Sequence, residues 1–259
     1  MTRRERAYNR KVQELIDKVG RLEDGEVEKV KKVLGNARTL VAASVASTKW
    51  DIFWIQQHKE AVERAIEGFR QRYLAGQREA LSNMWNAGVD AVDLPLHFVG
   101  VRTGMTPELS LSSLEIMQGY SADLIKGLTA DALKKVNNEV TLGIMGGKQP
   151  FEAMKAIGRN LTDKSVFKSI ATRAETITRT EMARVHSSAR EARIKATVEA
   201  GTDPEMTWQK KWISSGKAKP RDHHEGLDGV VIDVDEDFLG YIPYPHAPGL
   251  PADEVVNCG

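Results

Sequence analysis

Val166-Phe-Lys-Ser-Ile170-Ala-Thr-Arg-Ala174-Glu-Thr-Ile177-Thr-Arg-Thr180-Glu181-Met-Ala-Arg-Val185 is the stretch on which the reading of this chain turns. Val166, Ile170, Ala174 and Ile177 are spaced by 4, 4 and 3, and Met182, Val185, Ala189, Ala192 and Ala196 by 3, 4, 3 and 4. Those steps place them on one face of an α-helix, predicted from about 163 to 200 and stopped at Gly201. The stripe passes through Thr180 and Glu181, so Arg179-Thr180-Glu181 brings a carboxylate to the apolar face. Either Glu181 rims the stripe in solvent, or it is buried and needs a partner, because desolvating an unpaired carboxylate costs several kcal/mol. In the buried case Arg221 is the expected partner, and Glu181 clamps the C-terminal segment to the helix. A catalytic Glu181 is a third reading.

Toward the N-terminus the helical texture continues. Residues 1–90 contain no proline and are dominated by Ala, Glu, Lys, Arg, Gln and Leu. Gly25 and Gly35-Asn36 are the expected breaks, giving one helix before about 34 and a second from about 38 to 90. A fold-back near Gly76 is the alternative. Val62, Ile66, Phe69 and Tyr73 make an apolar stripe with no evident partner in the chain, so this half is expected to order fully only in an assembly. Asp93-Leu-Pro95, Gly100, Gly104 and Thr106-Pro107 predict a loop over 91–112. Helices are expected again near 110–120 and 129–145, and a short one after Pro150.

Toward the C-terminus the composition changes. Lys210, Lys211, Lys217, Lys219 and Arg221 form a basic run without an acid, and residues 222–259 then hold nine Asp and Glu and no Lys or Arg, a net charge of −9. The same segment holds His223, His224, His246 and the single cysteine, Cys258. With Trp208, Trp212 and Val230-Val-Ile232 among Gly, Pro and Asp, it predicts short strands and turns. The fold class expected is mainly α (α+β): long N-terminal helices, a helical middle, and a small C-terminal β/turn-rich module packed on a long helix. The expected domains are an extended helical region over 1–112 and a second domain over 113–259. That second domain has helices to about 201 and the β/turn module over 205–259.

Three readings of the C-terminal cluster stand side by side. Asp228-Gly229 can form the turn of a structural hairpin, with His224 capping backbone groups. His224, His246 and Cys258 can instead ligate a zinc-like ion, although the spacing is no zinc-finger pattern. A nucleophilic Cys–His pair has the least support. No cofactor is expected apart from such a zinc.

The whole-chain numbers bound the rest. The 259 residues are 41% hydrophobic and 28% charged, with 37 Lys and Arg against 36 Asp and Glu. Disordered and collagenous classes are excluded, and a single cysteine excludes a disulfide framework. No apolar run approaches the roughly 18–20 residues of a spanning helix, so no membrane partner is expected. The charged start Met1-Thr-Arg-Arg-Glu-Arg6 predicts no secretory signal. A net charge of +1 argues against DNA binding as the main task, though Lys210, Lys211, Lys217, Lys219 and Arg221 could touch phosphates weakly.

Over roughly residues 120–259 the sequence resembles the phage Mu protein F-like head morphogenesis family. The resemblance is carried by Thr141-Leu-Gly-Ile-Met-Gly-Gly147 and the Phe151–Ile157 segment, then Arg179-Thr180-Glu181 on a long helix. Trp212, Arg221-x-x-His224, Leu227-Asp228-Gly229 and the closing Pro251, Glu254 and Asn257-Cys258 follow in order. Ser187 stands where the family often has Asn, and Cys258-Gly259 where it usually has Cys-x-Cys. The resemblance implies a non-enzymatic minor head protein of a tailed bacteriophage, made in the host cytoplasm and built into the virion at the head interior or portal vertex. Its implied partners are the portal protein, then the major capsid or scaffold protein and packaged DNA. It also implies that Arg179, Thr180, Glu181, Arg221, His224, Asp228, Gly229, Asn257 and Cys258 form one structural motif. The alternatives are an enzyme, either a metal-dependent hydrolase or a transferase/toxin-related protein, and an accessory DNA-binding protein.

Overall fold

The computed structural model describes residues 2–46, 50–101, 111–200, 207–214 and 222–255, with backbone only for Leu111 and Asp222. Of the described residues 76% are helical and a two-stranded sheet is the one sheet among them, a mainly α fold with a small C-terminal module. Its order is α1 (Arg3–Ala46), a 3-10 turn (Ile52–Trp54), α2 (Ile55–Phe98), α3 (Leu111–Ile144), α4 (Pro150–Ile157) and α5 (Val166–Glu199). Then come β1 (Gln209–Lys211), α6 (Asp222–Glu225), β2 (Val231–Asp233) and α7 (Ala252–Val255).

The break between the first two helices differs from expectation. Helix α1 runs unbroken through Gly25 and Gly35, and α2 through Gly76, each 44 residues long. A glycine in a helix costs roughly 1 kcal/mol relative to alanine. The apolar stripe outweighs it: Val27, Val30, Leu34, Ala37, Val41 and Val45 are all buried, at spacings of 3, 4, 3, 4 and 4. The second helix begins instead after Asp51, whose side chain accepts from the Phe53 amide at 3.0 Å. Likewise, α2 carries Pro95 and continues to Phe98, where a loop was predicted. A proline this close to the helix end removes one late backbone bond, while Val92 stays buried on the stripe one turn earlier. Helix α3 joins the two helices expected near 110–120 and 129–145.

The chain forms two compact units, each drawing on residues from both sides of position 112. One comprises residues 24–79 and 118–178. Its core gathers the α1 stripe with Val62, Ile66, Phe69 and Tyr73 of α2, Ile125, Leu128, Val136 and Val140 of α3, and Phe167, Ile170 and Ala174 of α5. The Tyr73 hydroxyl donates to the Ala174 carbonyl at 2.8 Å and lies 2.8 Å from Thr178 Oγ1. The α2 stripe therefore does have an intramolecular partner, and the expectation that it waits for other chains is overturned.

The other unit comprises residues 1–23, 80–117 and 179–259. Here Leu81, Met84 and Trp85 of α2 pack with Leu114 of α3 and with Met182, Val185 and Ala189 of α5. The helices meet closely at Gly88, where an added Cβ would lie 2.8 Å from Ala189 Cβ and collide with the His186 carbonyl. The C-terminal module belongs to the same unit, with its own small core of Trp212, Leu227, Phe238 and Ile242.

Candidate functional site

Helix α5 sets the first half of the site. The 3/4 spacing puts Val185 and Ala189 at zero exposure and carries Glu181 with them, at 1%. Its Oε1 accepts from Arg184 Nη1 at 2.9 Å, and its Oε2 is enclosed with no partner among the described residues. Burial raises the Glu181 carboxyl above its ordinary value, and the Arg184 charge partly offsets this. Thr180 is buried and Arg179 half-buried. Arg221, the partner expected from sequence, lies outside the described residues, so the described pairing is the local one to Arg184.

The charge on Glu181 is therefore costly, and its shape and hydrogen bond matter more. Glu181→Gln should change stability by less than about 1 kcal/mol. Glu181→Ala, which removes the 2.9 Å bond to Arg184 and leaves a void, should cost about 2–3 kcal/mol, since Arg184 keeps some solvent. Urea titration of both variants at pH 7 decides this, and equal losses would contradict it.

One turn further on, His186 is enclosed at Nε2, which has no hydrogen-bond partner among the described residues. Burial, then the charges of Arg190 and His246, hold its pKa down at about 4. His246 itself is buried at 9% exposure with a left-handed backbone at φ 59. Because the folded pKa lies below the unfolded one, the native state binds fewer protons between about pH 6.5 and 4. The associated stability is full above that window and is lost as pH falls through it, by roughly 2–3 kcal/mol at pH 4.5. His186→Gln should lose less stability than the parent chain between pH 7 and pH 4.5. Parallel losses in the two proteins would contradict this.

The module supplies the second half. β1 pairs antiparallel with β2, Lys210 facing Ile232 in the register. Lys210 is the inward residue of β1, with Nζ donating to the Pro243 carbonyl at 3.0 Å and lying 5.8 Å from the centre of the Phe238 ring. Of the expected phosphate contacts, then, Lys210 is spent inside the module and Lys211 is exposed. Lys217, Lys219 and Arg221 lie outside the described residues. Trp212 extends the ladder, its amide donating to Val230 and its carbonyl accepting from Gly229. Asp228 Oδ1 accepts from the Ser214 amide at 2.8 Å, and Gly229 takes φ +84. Asp228-Gly229 forms the turn out of α6 into β2, where the hairpin reading expected it to join two strands directly. A crevice of about 30 Å³ separates α5 from the module between Ser187, Arg190 and Ile194 on one side and Trp212, Phe238 and Tyr244 on the other.

His224 does not cap backbone through its Nε2. That atom lies 2.8 Å from Glu254 Oε2, and His223 Nε2 lies 3.1 Å from the same oxygen. Tyr241 donates its hydroxyl to Glu254 Oε1 at 3.2 Å. Hydrogen bonding from His223 holds the Glu254 carboxyl below its usual range, with His224 and Tyr241 adding to the effect. The His224 ring also stacks near Trp212, with centroids 5.6 Å apart. Of the donors expected for a zinc-like ion, His224 is in this cluster, His246 sits by His186, and Cys258 and Asn257 lie outside the described residues. Sequence reasoning missed His223 and Glu254 as partners. The available signal was the adjacent histidine pair in a segment that is otherwise acidic.

Residues 134–258 match the model of the family described as phage Mu protein F like protein. That family is one of phage head morphogenesis and of structural proteins, components of the virion. A protein of Bacillus subtilis (strain 168) named "Uncharacterized protein YqbB" is 27% identical over 229 residues. The match covers 85% of this chain, and the chain spans 65% of the relative's length. No solved structure matches the chain. Among the described residues no helix is long and apolar enough to cross a membrane.

Proposed function

With residues 134–258 matching the phage Mu protein F-like family, we propose that this chain is a minor head protein of a tailed bacteriophage. In this reading it associates with the portal during procapsid assembly and resides at the head interior or portal vertex. The family match carries the reading. Three of the motif residues support it through contacts inside the fold: Glu181 with Arg184, Asp228 with the Ser214 amide, and His224 with Glu254. Contacts of this kind build a structural element.

The proposed contact is apolar. In the unit of residues 24–79 and 118–178, the Trp50 ring and Ala153 both flank Gly143, so the segments around them share one end. Phe53 at 80% exposure, Met145 at 65% and Phe151 at 64% project from those segments. We assign this end to the portal, with the major capsid or scaffold protein as further neighbours. DNA has a lesser part, as a weak contact without sequence preference, because Lys210 is buried and the acidic run follows the basic one.

Co-expression with the portal protein of the same phage tests the reading. Co-purification that survives nuclease, and that is weakened by Phe53→Asp with Phe151→Asp, is the expected result. An association lost on nuclease treatment would favour the accessory DNA-binding alternative.

A further inference from the structure

We propose that His223 and His224 of α6 and Glu254 of α7 form a three-donor site for a zinc-class divalent cation that ties α6 to α7 within the C-terminal module. The geometry comes first. The two imidazole Nε2 atoms converge on a single carboxylate oxygen at 3.1 and 2.8 Å, and the three donor atoms lie within 4.8 Å of one another. A zinc ion holding nitrogen and oxygen at about 2.0–2.2 Å in a tetrahedral arrangement needs donors roughly 3.3 Å apart, so small side-chain adjustments suffice. The rings of His223 and His224 are set at 67° with centroids 4.5 Å apart, which lets adjacent residues aim at one point from different directions.

The donor chemistry selects the ion. Two imidazoles with one carboxylate suit zinc and neighbouring transition metals, whereas magnesium and calcium require mostly oxygen. Tyr241 fixes the carboxylate through its other oxygen, as outer partners of metal ligands do. Residues 222–259 carry no Lys or Arg, and Asp253 adjoins Glu254, so the local field favours a cation. His224 is 8% exposed and Glu254 13%, while His223 is 44% exposed, so the site is enclosed on one side and opens to solvent on the other. Among the described residues the cluster has three donors, so water or another ligand would complete the coordination.

The gain is structural. Among the described residues the module's own core is small, four buried apolar side chains with Ile232 and Leu250 packed against them, and domains with so small a core commonly add a metal or other cross-link. An ion here joins α6 to α7 across 30 residues of chain. Binding replaces the Nε2–H···Oε2 bonds. Each imidazole gives up its Nε2 proton to make room for the ion, that proton moving to Nδ1 or to solvent. The same three groups could also form a hydrogen-bonded triad with no ion, and the experiment separates these cases.

The full chain, with any affinity tag removed and purified without chelator, is equilibrated with zinc chloride, dialysed and assayed for bound metal. Cobalt(II) substitution then reports the coordination by its visible spectrum. One zinc per chain is expected, with His223→Ala and Glu254→Gln each weakening binding on the order of 10-fold or more and both losing the cobalt bands. His223 is exposed enough for its substitution to leave the fold intact, which circular dichroism verifies. Absence of bound metal at micromolar free zinc would overturn the proposal. So would stoichiometric zinc kept by the His223→Ala/Glu254→Gln double variant, since the ion would then sit elsewhere.

Discussion

Trp212→Ala should destabilise the C-terminal module by about 3–5 kcal/mol, enough to release it from the folded chain near physiological temperature. The side chain is 8% exposed and is the largest member of a core that otherwise holds Leu227, Phe238 and Ile242. It meets Phe238 edge to face at 5.1 Å and tilts against His224 at 5.6 Å. Aromatic pairs of this kind add about 0.5–1.5 kcal/mol beyond the area they bury. So small a core has nothing to redistribute into the void. Limited proteolysis should cut the variant after α5 while the helical units stay intact, and urea titration should show an early separate transition. A variant as resistant as the parent would mean that the module is held by other contacts.

Asp93→Ala should cost a similar amount, about 3 kcal/mol or more, by a different route. Arg193 of α5 is among the largest fully buried side chains, and its Nε donates to Asp93 Oδ1 of α2 at 2.7 Å. Removing one member of a buried pair takes the counter-charge from a group held away from water, which costs about 3–5 kcal/mol. Removing both is much milder, because desolvation and attraction largely cancel. The combined Asp93→Leu/Arg193→Met variant should therefore recover most of the stability that Asp93→Ala loses. Thermal melts of the three proteins decide it, and a double variant no better than Asp93→Ala would place the loss in packing and not in charge.

Helix α5 was legible in sequence because a 3/4 apolar repeat is a local property. Met182, Val185 and Ala189 pack as their spacing demands, and Glu181 is buried with them. The inward turn of β1 was not legible. Lys210 reads as one of five surface cations, yet strand alternation and the Phe238 ring draw its stem inside while the ammonium finds the Pro243 carbonyl. Helix continuity through Gly25, Gly35 and Gly76 escaped local reading for a related reason. The burial that offsets a glycine is tertiary, contributed by α3 and α5, which lie far along the chain and outside any local window. The candidate site divides in the same way. His224 was recognisable from its motif, but its meeting with Glu254 spans 30 residues, and no spacing rule connects an adjacent histidine pair to a carboxylate on α7.

The central claim, a structural place in the phage head, is tested most directly on assembled particles. Heads assembled with and without this chain, from the major capsid, scaffold and portal proteins of its own phage, would be purified and their protein content quantified. The account predicts that the chain copurifies with the heads in far fewer copies than the capsid protein, and that it is lost when the portal is omitted. Its absence from purified heads, or a capsid-like copy number independent of the portal, would contradict the account.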